Sequence, residues 1–316
     1  MKKIVVVVIT GFLGAGKTTF LNKLIRKHNA LKLIVVENEF GTVPIDNELI
    51  SGVAVREVVD LNSGCICCTI SNEFALSLLE IADRAGDADF LIIETSGVAD
   101  LSNVIRPFLS DELLAERFIY EGSICLVDAC NFDRQMEGRE QQHQVIFSDC
   151  LLLNKSGGFN DEQLCEMERR LKAYNNTARI IRTDYGNTEN FDLRSFSVET
   201  QNRMVEVLSK PVIFRSVESS KYTTYTHQFQ GQVNIKKFKS WFNYFAAINQ
   251  REIYRIKGIL YPDDQTDRVV VQSVGGVVSY QSGPAIQPSD VCLNTLVFIG
   301  KAVETNYILA ELENYM

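Results

Sequence analysis

Histidine is scarce in this chain. His28, His143 and His227 are its only three, widely spaced, which excludes a histidine-rich metal store and leaves each imidazole as a packing or surface group. Long hydrophobic runs are missing as well. The longest apolar stretch near the start, Ile4–Ile9, is far too short to span a bilayer and has no small-residue cleavage pattern behind it, so a cytoplasmic protein is expected. Positive charge is in deficit: 32 basic against 40 acidic residues give a net charge of −8, which argues against nucleic acid or an anionic membrane as partner. Cysteine is too sparse for a disulfide framework, with eight in 316 residues. Three of the eight crowd into Cys65, Cys67 and Cys68, where neighbouring geometry disfavours ordinary bridges and reduced thiols point to metal or redox chemistry.

What remains is an ordinary globular composition, 46% apolar and 23% charged, in a chain long enough to favour two domains. From Lys2 to about Phe214, short aliphatic runs alternate with amphipathic stretches. Strands are expected at Ile4–Ile9, Leu33–Glu37, Phe90–Glu94, Ser123–Asp128, Cys150–Asn154 and Arg179–Ile181, with room for helical crossovers between them. The fold class is therefore α/β, a doubly wound and mainly parallel sheet over residues 1–215. The Ser- and Thr-rich segment Ser216–Thr224 is the expected linker. Beyond it, over 222–316, a strand near Tyr225–Phe229, a helix, strands at Glu252–Tyr261, Arg268–Val274 and Cys292–Gly300, and a last helix from Val303 describe a smaller α+β domain. Phe238, Trp241, Phe242 and Phe245 recur at helical spacing and read as a core face. Arg255 and Lys257 fall on one face of a strand and read as solvated edge charges.

The strongest chemical signal is Gly11-Phe12-Leu13-Gly14-Ala15-Gly16-Lys17-Thr18, a G-x-x-x-x-G-K-T loop entered from an aliphatic strand and followed by the amphipathic run Thr19–His28. Such a loop curls so that successive backbone N–H groups face one concavity, and the helix that follows adds its positive end: a phosphate cradle. Gly11, Gly14, Ala15, Gly16, Lys17, Thr18 and Thr19 are the candidate nucleotide-binding residues. Lys17 can reach the terminal phosphates, and the Thr18 hydroxyl can complete the shell of a Mg²⁺. A second strand ends in Glu94-Thr95-Ser96-Gly97, where Glu94 can organise metal and water and the Gly97 N–H can sense the terminal phosphate. Lys17, Glu94 and Gly97 are the candidate catalytic residues. In Gly64-Cys65-Ile66-Cys67-Cys68, the density of soft sulfur suits Zn²⁺ or another late transition metal, with a fourth donor from water, a client or an acid such as Glu37.

Taken in order, GFLGAGKTT at Gly11–Thr19, ENEFG at Glu37–Gly41, GCICC at Gly64–Cys68, ETSGVAD at Glu94–Asp100, VDA at Val127–Ala129 and Asn154-Lys155 resemble the CobW family of P-loop GTPases, relatives of the nickel-insertion accessory proteins. Arg255–Gly258 and Val297–Gly300 look like the family's C-terminal domain. The resemblance implies a metallochaperone that binds and hydrolyses GTP with Mg²⁺ and assembles a transition-metal site, for Zn²⁺ or Co²⁺, at the Cys-x-Cys-Cys motif. Hydrolysis would release the ion to a client metalloprotein or metallo-enzyme. By the same resemblance, Thr18, Glu37, Cys65, Cys67 and Cys68 are the metal residues and Asn154 with Lys155 cradles the base. A homodimer is compatible with it.

Two positions depart from the family pattern. Where the family has Asn-Lys-x-Asp, this chain reads Asn154-Lys155-Ser156-Gly157, and glycine has no carboxylate for the guanine N–H groups. Guanine selectivity then needs an acid from elsewhere, for which Asp161 is a candidate. Thr42 stands where many members carry a glutamate, which weakens any auxiliary metal site there. Two other readings are a nucleotide-dependent module that remodels a metallo- or corrinoid enzyme without carrying metal, and a kinase acting on a small acceptor.

Overall fold

A computed structural model describes residues 2–37, 55–60, 71–97, 99–187, 189–196, 206, 208, 222–287 and 290–301. Seven strands, β1 (Ile4–Gly11), β2 (Leu33–Glu37), β3 (Val55–Asp60), β4 (Phe90–Glu94), β5 (Phe118–Asp128), β6 (Cys150–Asn154) and β7 (Arg179–Arg182), form one sheet in the order β3-β2-β4-β1-β5-β6-β7. Every neighbouring pair is parallel. Val6, Val7, Val8 and Ile9 are each 0% exposed although successive side chains point to opposite faces, so both faces of β1 are covered. This explains why β1 reads as an unbroken aliphatic run. The chain fills one side of β1 first and the other afterwards, which places the reversal of winding beside β1 and the ligand crevice at its carboxyl end.

Helix α1 (Lys17–Lys27) lays Phe20, Leu21, Leu24 and Ile25 against Val7, Ile9, Ile92, Leu126 and Leu152 of the sheet. Arg26 and Lys27 in its last turn suit the negative end of the helix dipole. His28 follows, buried, with Nε2 accepting a hydrogen bond from the Leu193 N–H at 3.2 Å; burial lowers its pKa, although Asp192 opposes that, so it is a neutral packing imidazole. Among the described residues this region also holds α2 (Ser71–Arg84), α3 (Leu101–Ser110), α4 (Glu112–Arg117), α5 (Phe132–Met136), α6 (Arg139–Phe147) and α7 (Asp161–Tyr174). Asp100 caps α3 through the Ser102 N–H at 3.0 Å, and Asp111 caps α4 through Leu113 and Leu114.

Beyond residue 221, β8 (Thr223–Gln230), α8 (Ile235–Ile248), β9 (Ile253–Leu260), β10 (Asp267–Val274), β11 (Val277–Ala285) and β12 (Leu293–Gly300) build a five-stranded antiparallel sheet, β11-β10-β9-β12-β8. Asn234 caps α8 through the Lys237 N–H. As the spacing predicts, Phe238, Trp241, Phe242 and Phe245 are buried, packing with Val271, Leu296 and Phe298 of the sheet. The reading of Arg255 and Lys257 as edge charges is overturned: β9 is the middle strand, covered on both faces, and the two side chains are 1% and 2% exposed.

The chain divides into two compact units, 1–168 with 178–198, and 169–177 with 199–316. The last turns of α7 thus belong to the second unit, where Tyr174 packs against Tyr222 at 6.0 Å and Tyr222 against Tyr254 at 5.9 Å. Of the expected linker only 222–224 are described, and Thr223 already opens β8; the helix expected from Val303 lies outside the described residues. Among the described residues, no helix is long and apolar enough to cross a membrane.

Candidate nucleotide-binding site

The site forms where β1, β4, β5, β6 and β7 end side by side. β1 passes into the loop 12–16, where Gly14 and Gly16 hold φ of 79° and 99°, a left-handed backbone that side chains resist. A Cβ on Gly16 would also stand 2.6 Å from Asn154 Nδ2, so the second position demands glycine twice over. The Ala15 N–H closes the turn onto the Phe12 carbonyl at 3.0 Å, and α1 starts directly after Gly16, so the positive end of its dipole lies at the loop. Lys17 lies along the inside of this loop, donating to the carbonyls of Gly11 at 3.0 Å and Phe12 at 3.4 Å. Thr18 and Thr19 follow on the exposed side of the first turn.

The Thr18 hydroxyl donates to Glu94 Oε1 at 3.1 Å, bringing the end of β4 to the loop. Two hard oxygen donors at this separation fit the chemistry of Mg²⁺. Gly97 completes the phosphate end by close approach: a Cβ there would lie 2.6 Å from the Leu13 nitrogen, so only glycine lets this segment rest on the loop backbone. Lys17, Thr18, Glu94 and Gly97 therefore converge. Glu37 ends β2 in register with Glu94 and with Asp60 of β3, which sets three acidic positions in a row along the sheet edge. Cys65, Cys67, Cys68 and Thr42 lie outside the described residues. Among the described residues, no group of three or more His, Cys, Asp or Glu is arranged to hold a metal ion. Burial pushes the Cys125 thiol up to about 12, which keeps it protonated and inert as a ligand.

The expected base end is held by struts. Asn154, 1% exposed, donates from Nδ2 to the Ala15 carbonyl at 2.8 Å and accepts from the Gly186 N–H at 2.9 Å, clamping the phosphate loop to the turn after β7. Lys155, at φ 60°, donates to the Gly14 carbonyl at 2.8 Å and to Asp128 Oδ2 at 2.7 Å. Burial alone would raise the Asp128 carboxyl; bonds from Lys155, Asn131 and the Cys130 N–H outweigh it and hold the group below the usual carboxylate range. Asp161, the candidate compensating acid, is exposed and bonded to Arg182, which also engages Glu168 at 2.6 Å.

Three further residues join the site without having been singled out as site residues by the sequence. Gln144, buried on α6, donates to the carbonyls of Gly97 at 3.1 Å and Ala99 at 3.5 Å, fixing the segment after β4. Asp128 anchors Lys155, although the VDA segment contains it. Asp184 stands beside Gly157, with Oδ2 2.7 Å from where a Cβ on that glycine would be.

Known proteins match this arrangement. Residues 5–182 fit the model of the CobW/HypB/UreG nucleotide-binding domain, and residues 222–316 that of the cobalamin synthesis protein CobW C-terminal domain. The zinc chaperone YjiA of Escherichia coli is 32% identical over 95% of this chain and 95% of its own. The zinc-regulated GTPase metalloprotein activator 1 of Schizosaccharomyces pombe is 26% identical over 82% of this chain and 72% of its own. A crystal structure of Zn(II)-bound YjiA GTPase from E. coli superposes with a TM-score of 0.69 at 27% identity, covering 100% of both chains. With a glycine-lined phosphate loop, a strutted base end and both domain models matched in order, the chain belongs to the CobW/HypB/UreG family of nucleotide-binding proteins and carries the CobW C-terminal domain.

Proposed function

We propose that this protein is a GTP-hydrolysing metallochaperone of the cytoplasm, one that couples its nucleotide state to a transition metal, zinc first, and passes that metal to a client metalloprotein. The observation that carries the nucleotide half is the convergence of Lys17, Thr18, Glu94 and Gly97 on one loop. Lys17 and the loop amides would stabilise negative charge on the transferring phosphoryl group, with water as nucleophile. Mg²⁺, held by Thr18 and Glu94, would neutralise phosphate charge. Glu94 is the stronger candidate for aligning the metal's water shell, since its side chain already meets Thr18. Gly97, resting on Leu13, would report the terminal phosphate through its N–H.

The metal half is supported by the names of the relatives, a zinc chaperone and a zinc-regulated GTPase metalloprotein activator, and by the thiols of Cys65, Cys67 and Cys68. Glu37 ends β2 in register with Glu94, while the cysteines follow β3 in sequence; as a metal residue Glu37 would link the two sites. Titration of Zn²⁺ into wild type and a Cys67→Ser/Cys68→Ser variant, with GTP analogue or GDP bound, tests the coupling. Zinc binding that weakens at least tenfold in the variant and depends on the nucleotide is expected; binding indifferent to both thiols and nucleotide refutes it.

A further inference from the structure

Guanine differs from adenine along one edge. It presents N1–H and the N2 amine as adjacent donors, a pair that one carboxylate accepts and that adenine cannot offer. The family places that carboxylate two residues after the lysine, but here the position is Gly157. Its φ is not in the left-handed region, so the backbone does not call for glycine there. What calls for it is a neighbouring acid. A Cβ on Gly157 would lie 2.7 Å from Asp184 Oδ2, 3.2 Å from its Cγ and 3.6 Å from Oδ1. The Asp184 carboxylate fills the space from which an aspartate at 157 would project.

The turn bearing Asp184 is built for placement. The Thr183 N–H donates to the Leu153 carbonyl at 2.9 Å, the Ser156 N–H to the Thr183 carbonyl at 3.2 Å, and the Asn187 N–H to the Asp184 carbonyl at 2.9 Å. Tyr185 and Gly186 take φ of 46° and 66°, and the Gly186 N–H reaches Asn154 Oδ1 at 2.9 Å. Asp184 is thus fixed, through Asn154, to the same loop that cradles phosphate. Neighbouring cations are engaged elsewhere: Arg182 with Asp161 and Glu168, Lys155 with Asp128 and Gly14. Among the described residues, none donates a hydrogen bond to the Asp184 carboxylate.

We propose that Asp184 is the guanine-reading residue of this protein, a carboxylate delivered from the turn after β7 in exchange for the one lost at Gly157. This rests on the nucleotide-binding reading above and deepens it. Asp184 would accept from guanine N1–H and N2–H, while Asn154 and Lys155 hold the surrounding loops. It accounts for glycine at 157, because any side chain there displaces the carboxylate.

Affinities of the full chain with Mg²⁺ for GTP, ATP and xanthosine triphosphate test it. Wild type should prefer GTP over ATP at least tenfold. Asp184→Ala should lose roughly 10–100-fold in GTP affinity with ATP unchanged, the scale of a charge-assisted hydrogen bond. Asp184→Asn should lose GTP and gain xanthosine triphosphate, since xanthine carries a carbonyl at C2 that accepts from the new amide. A loop with a merely structural aspartate has no reason to make that switch. Gly157→Asp in the Asp184→Ala background should restore part of the GTP preference. The proposal is overturned if wild type binds GTP and ATP alike, if both Asp184 variants keep the wild-type GTP-to-ATP ratio, or if they lose GTP and ATP equally. Absence of binding by wild type to any of the three nucleotides would instead refute the nucleotide reading itself, and this proposal with it.

Discussion

The two ends of the candidate nucleotide site are built differently. The phosphate end is nearly one contiguous stretch, Gly11 to Thr18, to which β4 adds Glu94 and Gly97. The proposed base end has no such stretch: Asn154, Lys155, Asp128 and Gly186 come from the ends of β5, β6 and β7 and are held together by side-chain struts, and backbone bonds set the turn bearing Asp184. Phosphate is recognised by backbone amides, so a local turn suffices. A base edge demands side chains at set separations, and those can be supplied from any loop the sheet brings near. The phosphate end is therefore set by one loop's own backbone, whereas the proposed guanine reader, Asp184, comes from the turn of a neighbouring strand.

If the ends divide the work in this way, variants at each should fail differently. The largest effect is expected from Lys17→Ala, which should slow phosphate release about 100-fold or more, measured as steady-state turnover with GTP. Unchanged turnover would break the assignment of the chemistry to this end. Asn154→Ala removes one bond to Ala15 and one from Gly186 in a buried place, so a loss of about 2–3 kcal/mol in unfolding free energy is expected, together with weakened GTP binding. Gln144→Ala releases the Gly97 and Ala99 carbonyls and should slow turnover about tenfold with little change in nucleotide affinity, which single-turnover kinetics would separate.

The smallest effect is a control in the sheet. Burial, then the negative charge of Asp149, raises the Glu121 carboxyl to about 7. The folded chain therefore binds this proton more tightly than the unfolded one. The associated stability is fully present below the ordinary carboxylate pKa and is lost as pH rises through about 7. Glu121→Gln should stabilise the protein by on the order of 1 kcal/mol at about pH 8 and hardly at all near pH 4. Denaturant midpoints at the two pH values would check this, and turnover at either end of the site should not move.

Much of this was legible in the sequence, for physical reasons that also explain the gaps. Central parallel strands are buried on both faces and read as continuous apolar runs, so β1, β2, β4 and β6 were found with nearly their observed bounds. Edge strands lack that signature. Among the described residues β3, with Arg56 and Glu57 interrupting Val55–Asp60, pairs only with β2, and β11, carrying Gly283 and Pro284, only with β10; neither was expected, although the edge strands β7 and β8 were. β5 begins at Phe118, five positions before the expected Ser123, because Glu121 and Gly122 break its apolar run near the irregular register with β1 at Val6 and Val7. The phosphate loop announces itself because its chemistry is sequential. Asp184 does not, since nothing links 157 to 184 until β6 and β7 lie side by side. Asp161 was the plausible acid by sequence distance, yet its carboxylate is bonded to Arg182.

Calorimetric titration of the full chain with GTP in the presence of magnesium tests the central claim most directly. The account predicts saturable heat at a single site, abolished or strongly weakened by Lys17→Ala. No heat with GTP, ATP, inosine or xanthosine triphosphate would contradict it.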